Sequence, residues 1–219
     1  MDTLSPQETE TRLKQEVSTF IDAVKIQMKE SESVYSENVF RIFDEINSQG
    51  AETVFFLDRS ARPVAWMMEG LYKGLQKPAP DFKFISIVNI SEGRPTPQAI
   101  DEAKKNITFR KDKPVLIVDD FSESVVGKRL IDSAAQIVTE VFDLRPEDVN
   151  KTIFLKGTRR PAKFYNAHGF KDEIYGIKKA TVNSIVSVPA NSPSFLNDLR
   201  NEYVNLFINF GKQVAQTKK

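Results

Sequence analysis

Short apolar runs alternate with stretches of helical spacing through the middle of this chain. Thr53 to Asp58, Phe82 to Ile90, Val115 to Asp119 and Thr152 to Lys156 are rich in Val, Ile and Phe and bounded by polar residues. That composition and length predict buried strands. Between them lie Val64 to Leu75, opened by Pro63 and closed by Gly74 and Pro78; Gln98 to Lys105; and the stripe Val126, Leu130, Ala134, Ile137, Val141. Each predicts a helix. Parallel neighbours need a crossover, and a helix is the usual one, so this alternation predicts a parallel sheet. The expected fold class is therefore α/β: a largely parallel, doubly wound sheet with helices on both faces. Val182 to Val188 adds a last strand, and Phe195 to Val214 a closing helix.

Two helical patterns come before the first strand. One runs from Arg12 to Lys29 through Leu13, Val17, Phe20, Ile21, Val24 and Met28; the other runs from Val34 to Ile46, with Gly50 as its stop. The expected organisation is a helical extension over 1–50 and an α/β domain over 51–219.

Composition narrows the function classes. Lys plus Arg is 31 and Asp plus Glu is 30 in 219 residues, a balance that argues against coating nucleic acid or an anionic membrane. With no cysteine, disulfides, thiolate catalysis and cysteine-bound metals are excluded. The single histidine, His168, cannot build a histidine-rich metal site. The start, Met1 to Pro6, has neither the basic residues nor the apolar run of a secretory signal. No run approaches the roughly 18 apolar residues of a membrane span. The expectation is a cytoplasmic protein without a membrane partner, acting on small molecules, with a homodimer open as its assembly.

In open parallel sheets ligands bind at the carboxyl ends of the strands. Those ends carry Asp58, Arg59 and Ser60; Asn89 and Ser91; Asp119 and Asp120; and Lys156, Gly157 and Thr158. The richest is Asp119–Asp120, followed by Ser122, Ser124, Gly127, Lys128 and Arg129 at a predicted helix start near Val125. A helix start favours an anion, and hydroxyls and cations add to it. Carboxylates repel phosphate but accept from hydroxyl groups. A ribose 5-phosphate meets both demands, with its hydroxyls on Asp119 and Asp120 and its phosphate on Ser122, Ser124, Gly127 and Lys128. The bland reading is the polar end of a buried strand followed by a capped helix.

Here the chain resembles the type I phosphoribosyltransferases, whose motif is an apolar strand, two adjacent acids and a loop ending in Thr-Gly-x-Thr. Val115 to Asp120 matches the strand and acids, and Ser124 takes the place of the first threonine. Val125 takes the glycine's place, Gly127 falls two residues late, and the final threonine is missing. Val54 to Pro63 resembles the family's first strand and pyrophosphate loop, which places Arg59, Ser60, Ala61 and Arg62 on the leaving group. Residues 91–113 fall where the family carries a loop that closes over substrate. The resemblance implies transfer of a phosphoribosyl group from phosphoribosyl pyrophosphate to a nitrogenous acceptor. Magnesium would arrive with the substrate, and Asp119 and Asp120 would be the catalytic acids that position C1.

Two rivals stand beside it. The displaced Gly127 suits a protein that keeps the ligand and has lost the reaction, a nucleotide or phosphoribosyl pyrophosphate sensor. Phe164 to Phe170 resembles the late Tyr-x-x-x-Gly-Phe segment of the GNAT acetyltransferases, with Val126 to Leu130 in place of their coenzyme A loop, though the preceding glycines are absent.

Overall fold

The computed structural model describes Thr11, Gln15 and residues 32–57, 61–87, 97–122, 125–156, 185–188 and 194–217. The elements are α1 (Glu32–Gln49), β1 (Thr53–Leu57), α2 (Arg62–Gly74), β2 (Asp81–Ile87), α3 (Pro97–Asn106), β3 (Val115–Ser122), α4 (Val125–Phe142), a 3₁₀ turn (Pro146–Asp148), β4 (Val149–Lys156), β5 (Ile185–Val188) and α5 (Ser194–Thr217). The sequence pattern foresaw each strand and helix in this list. Two boundaries differ in a way that matters. β3 continues through Asp119 and Asp120 to Ser122, and β4 starts earlier, at Val149. Mutual pairing carries both strands beyond their apolar centres. The expected helix over Arg12–Lys29 lies outside the described residues, apart from helical Gln15.

The sheet order is β4-β3-β1-β2-β5. β1 is parallel to β2 and β3, and β3 is parallel to β4. β5 pairs antiparallel with β2 at the edge. This is an α/β fold built on four parallel strands.

Alternate residues of the central strands enter two separate cores, as the two-residue period of a strand requires. Val54 and Phe56 of β1, with Leu116 and Val118 of β3, pack against α1, α2 and α5. Phe55, Val115 and Ile117 pack against α3 and α4. Strands covered on both faces need continuous apolar runs, which is why the sequence showed runs here and not alternation.

The α2–α5 contact is the tightest helix pair. A side chain on Gly70 would collide with the Val204 carbonyl oxygen, and one on Gly74 with that of Ile208. Gly211 of α5 meets Gly74 in turn, a Cβ there lying 3.0 Å from its Cα. Glycine is disfavoured inside helices by about 1 kcal/mol, and here it lets two backbones touch. Glu69 ties the same pair together, accepting from Arg200 at 2.8 Å and from Lys73 at 2.7 Å. α1 stops at Gly50, which takes φ +64°, a conformation that side-chain-bearing residues resist.

Candidate functional site at the β1–β3 switch

Strand order sets the place. From β1 the chain crosses to β2 on one side, then passes back over β1 to β3 and on to β4. The direction of winding therefore reverses between β1 and β3. At such a reversal the connections leave two adjacent strands toward opposite faces, and a crevice opens outside their carboxyl ends. β1 leads there to residues 58–60, and β3 leads to Glu123 and Ser124.

The register places the acids. Among the described residues, β1 and β3 pair from Thr53↔Val115 to Phe56↔Val118. β3 pairs with β4 on its other flank, through Asp119↔Ile153 and Phe121↔Leu155 to Ser122↔Lys156. The two acids come directly after the last described β1–β3 pair.

Both acids are buried, Asp119 at 8% exposure and Asp120 at 2%. The Asp120 backbone N–H donates to Asp119 Oδ1 at 2.9 Å. A buried amide needs an acceptor, and here the neighbouring carboxylate supplies one. Strand alternation sends the two side chains to opposite faces: Asp119 with Ile117 toward α3 and α4, Asp120 with Val118 toward α1, α2 and α5. A ligand that touches both must lie across the strand end beside β1. Carboxylates that diverge in this way do not converge on one cation. Nor is any group of three acidic or histidine side chains placed to hold a metal among the described residues.

The loop after the acids is shorter than the sequence motif suggested. Ser122 is the last residue of β3 and Val125 the first of α4, so Glu123 and Ser124 alone separate them. Gly127 and Lys128 lie in the first turn of α4 and not in a loop. The helical stripe through Val126 and Leu130 was the signal that this glycine is helical.

The predicted pyrophosphate loop divides. Arg59 and Ser60 lie outside the described residues. Ala61 and Arg62 are buried, at 0 and 1% exposure. The Ala61 N–H donates to the Leu57 carbonyl at 3.1 Å and closes the turn out of β1, and Arg62 opens α2. The Arg62 guanidinium lies 4.6 Å from the centre of the Phe84 ring on β2. A cation covered in this way gains from the ring face. Arg62 is thus buried against β2, and direct contact with a leaving group would require it to be uncovered. The span expected to form a closing loop contains α3, whose Lys104 is paired with Asp143 at 2.7 Å.

Burial pushes the Tyr35 phenol up to about 12 and raises that of Tyr203 as well. Arg41 of α1 escaped the sequence reading altogether, although it reaches β4 beside the acids. Nothing local in the sequence announces such a contact. His168 and the Phe164–Phe170 segment lie outside the described residues. Among the described residues no helix is long and apolar enough to cross a membrane. No protein-family model, curated protein or solved structure matches this chain.

Proposed function

We propose that this protein binds a phosphoribosyl ligand, phosphoribosyl pyrophosphate or a nucleotide 5-phosphate, in the crevice between β1 and β3. We further propose that it transfers the phosphoribosyl group to a nitrogenous acceptor. One observation carries the reading. The two segments that resemble phosphoribosyltransferase motifs begin on β1 and β3, the adjacent strands between which the winding reverses. They are more than fifty residues apart in sequence. We read the sheet accordingly as the doubly wound arrangement of that family.

In this reading the ribose hydroxyls donate to Asp119 and Asp120 across the strand end. The 5-phosphate lies at the start of α4, near Ser122 and Ser124, where unpaired helix N–H groups and the helix dipole favour an anion. Arg59 and Ser60 face the pyrophosphate, and magnesium enters as part of the substrate. The acceptor nitrogen's lone pair forms the bond to C1 while the C1–oxygen bond breaks. Pyrophosphate leaves with the bonding electrons, and the acceptor's proton passes to solvent. Fixed carboxylates hold C1 in line and favour the positive charge that develops on the sugar.

The sensor reading keeps a specific footing, since Gly127 is helical and Arg62 is covered. A ligand panel separates the two. Magnesium phosphoribosyl pyrophosphate is expected to raise the melting temperature of the full chain. Pyrophosphate release in the presence of one acceptor from a panel of bases and amines marks the enzyme. A melting shift with no release across the panel marks the sensor. Stabilisation by acetyl-coenzyme A in place of phosphoribosyl pyrophosphate would overturn both.

A further inference from the structure

Arg41 makes contacts that no surface arginine of an N-terminal extension needs. Its Nη1 donates to Glu45 Oε1 and to Thr152 Oγ1, each at 2.8 Å. Its Nη2 donates to the carbonyls of Ile153 at 2.5 Å and Phe154 at 3.0 Å, and to Asn38 Oδ1 at 3.3 Å. Asn38 and Glu45 are its neighbours on α1 and aim the guanidinium. The other three acceptors belong to β4, more than a hundred residues away. Among the described strands β4 lies at the edge of the sheet, where carbonyls turned away from the ladder are open to side-chain donors. A planar fork with five donors can meet several such acceptors at once, which an ammonium cannot do from one position.

The grip falls at a particular level of the sheet. Thr152 is in register with Val118, the last residue of β3 that pairs with β1, and Ile153 is in register with Asp119. Beyond that level β3 keeps β4 as a sheet partner, through Asp119↔Ile153 and Phe121↔Leu155. The placement of Asp119 and Asp120 therefore depends on β4, and β4 is held there by Arg41. Tyr35, one and a half turns earlier on α1, stacks on Phe154 with ring centres 6.0 Å apart. We propose that Arg41 is a positioning residue through which α1 fixes the carboxyl ends of β4 and its partner β3, and with them the geometry of the acid pair. Its bearing on ligand binding rests on the reading that those acids hold a ribose.

Residue-resolved amide exchange of the full chain tests this in wild type, Arg41→Lys, Arg41→Met and Thr152→Val. The Arg41 variants are expected to speed exchange about tenfold at Asp119 to Ser122 and Ile153 to Leu155, with Val54 to Phe56 unchanged. Thr152→Val, which removes one of the acceptors, should act at the same residues and less strongly. In the same variants the dissociation constant for magnesium phosphoribosyl pyrophosphate should rise about tenfold for Arg41→Lys, despite its retained charge. Unchanged exchange at Asp119 to Ser122, or an acceleration spread evenly over the sheet, would overturn the proposal. Should wild type fail to bind the ligand, the functional reading falls, and the exchange pattern still decides the role of Arg41.

Discussion

At the amino ends of β1 and β3, Glu52, Arg110, Asp112 and Lys113 form ion pairs in open solvent, with side chains 41–66% exposed. At the carboxyl ends of the same sheet, Asp119, Asp120 and Arg62 are held at 8, 2 and 1%. The charges are similar in kind and the surroundings are opposite. Exposed pairs gain little, because water screens them and long side chains lose freedom. Buried charges are costly to desolvate, and a fold that keeps them commonly does so at a site. The contrast says which end of the sheet to test for function.

The largest effect expected is on ligand response at the carboxyl end. Ligand at a hundred times its dissociation constant should stabilise wild type by about 2.7 kcal/mol. Asp119→Asn with Asp120→Asn should abolish that gain in a thermal melt, while the unliganded protein remains folded. A double variant that keeps the full ligand shift would break the distinction between the two ends. Arg62→Ala comes next. It loses a buried stem and the contact with Phe84, and should cost about 2–3 kcal/mol in urea unfolding. Arg62→Lys should recover only part of this, because an ammonium lacks the flat face that lies on the ring.

Glu69 is intermediate between the two ends and sharpens the comparison. Burial pushes its carboxyl up, and hydrogen bonds and charge from Lys73 and Arg200 more than reverse this, so its pKa lies below the usual value. Its contribution is thus present above the unfolded value of about 4.3 and is lost as pH falls through the lowered folded value. Glu69→Gln should flatten the loss of melting temperature below about pH 4. After allowance for solvent screening of partly exposed partners, the effect should be on the order of 1 kcal/mol. The amino end supplies the smallest effect. Hydrogen bonding to Arg110 likewise holds the Asp112 carboxyl low. Both side chains are largely exposed, so Arg110→Ala should leave the neutral-pH melt unchanged within its precision.

Much of the fold was legible because the cues are local. The apolar runs at Val54 to Leu57 and Val115 to Val118 mark strands by length and by their Val, Ile and Phe content. Pro63, Gly74 and Gly50 mark helix ends through backbone geometry. The candidate site was legible in outline, since Asp119 and Asp120 stand where an apolar run meets polar residues. The misjudged details depend on neighbours. Gly127 looked like part of a loop because Ser122 and Ser124 are loop-like in composition, yet β4 pairing extends β3 to Ser122 and leaves two residues before the helix. Gly70 attracts no notice in a sequence and is required by a backbone that arrives from α5.

By itself, then, the sequence determined the alternation of strand and helix, the absence of cysteine chemistry, and the identity of the residues at the strand ends. These follow from period, composition and backbone preference, which act over a few residues. Tertiary structure alone decided that β1 and β3 are neighbours, that Arg62 is buried against Phe84, and that Arg41 reaches across to β4. Strand order and burial arise from contacts between segments tens to more than a hundred residues apart, and no local pattern encodes which of several compatible strands becomes the neighbour.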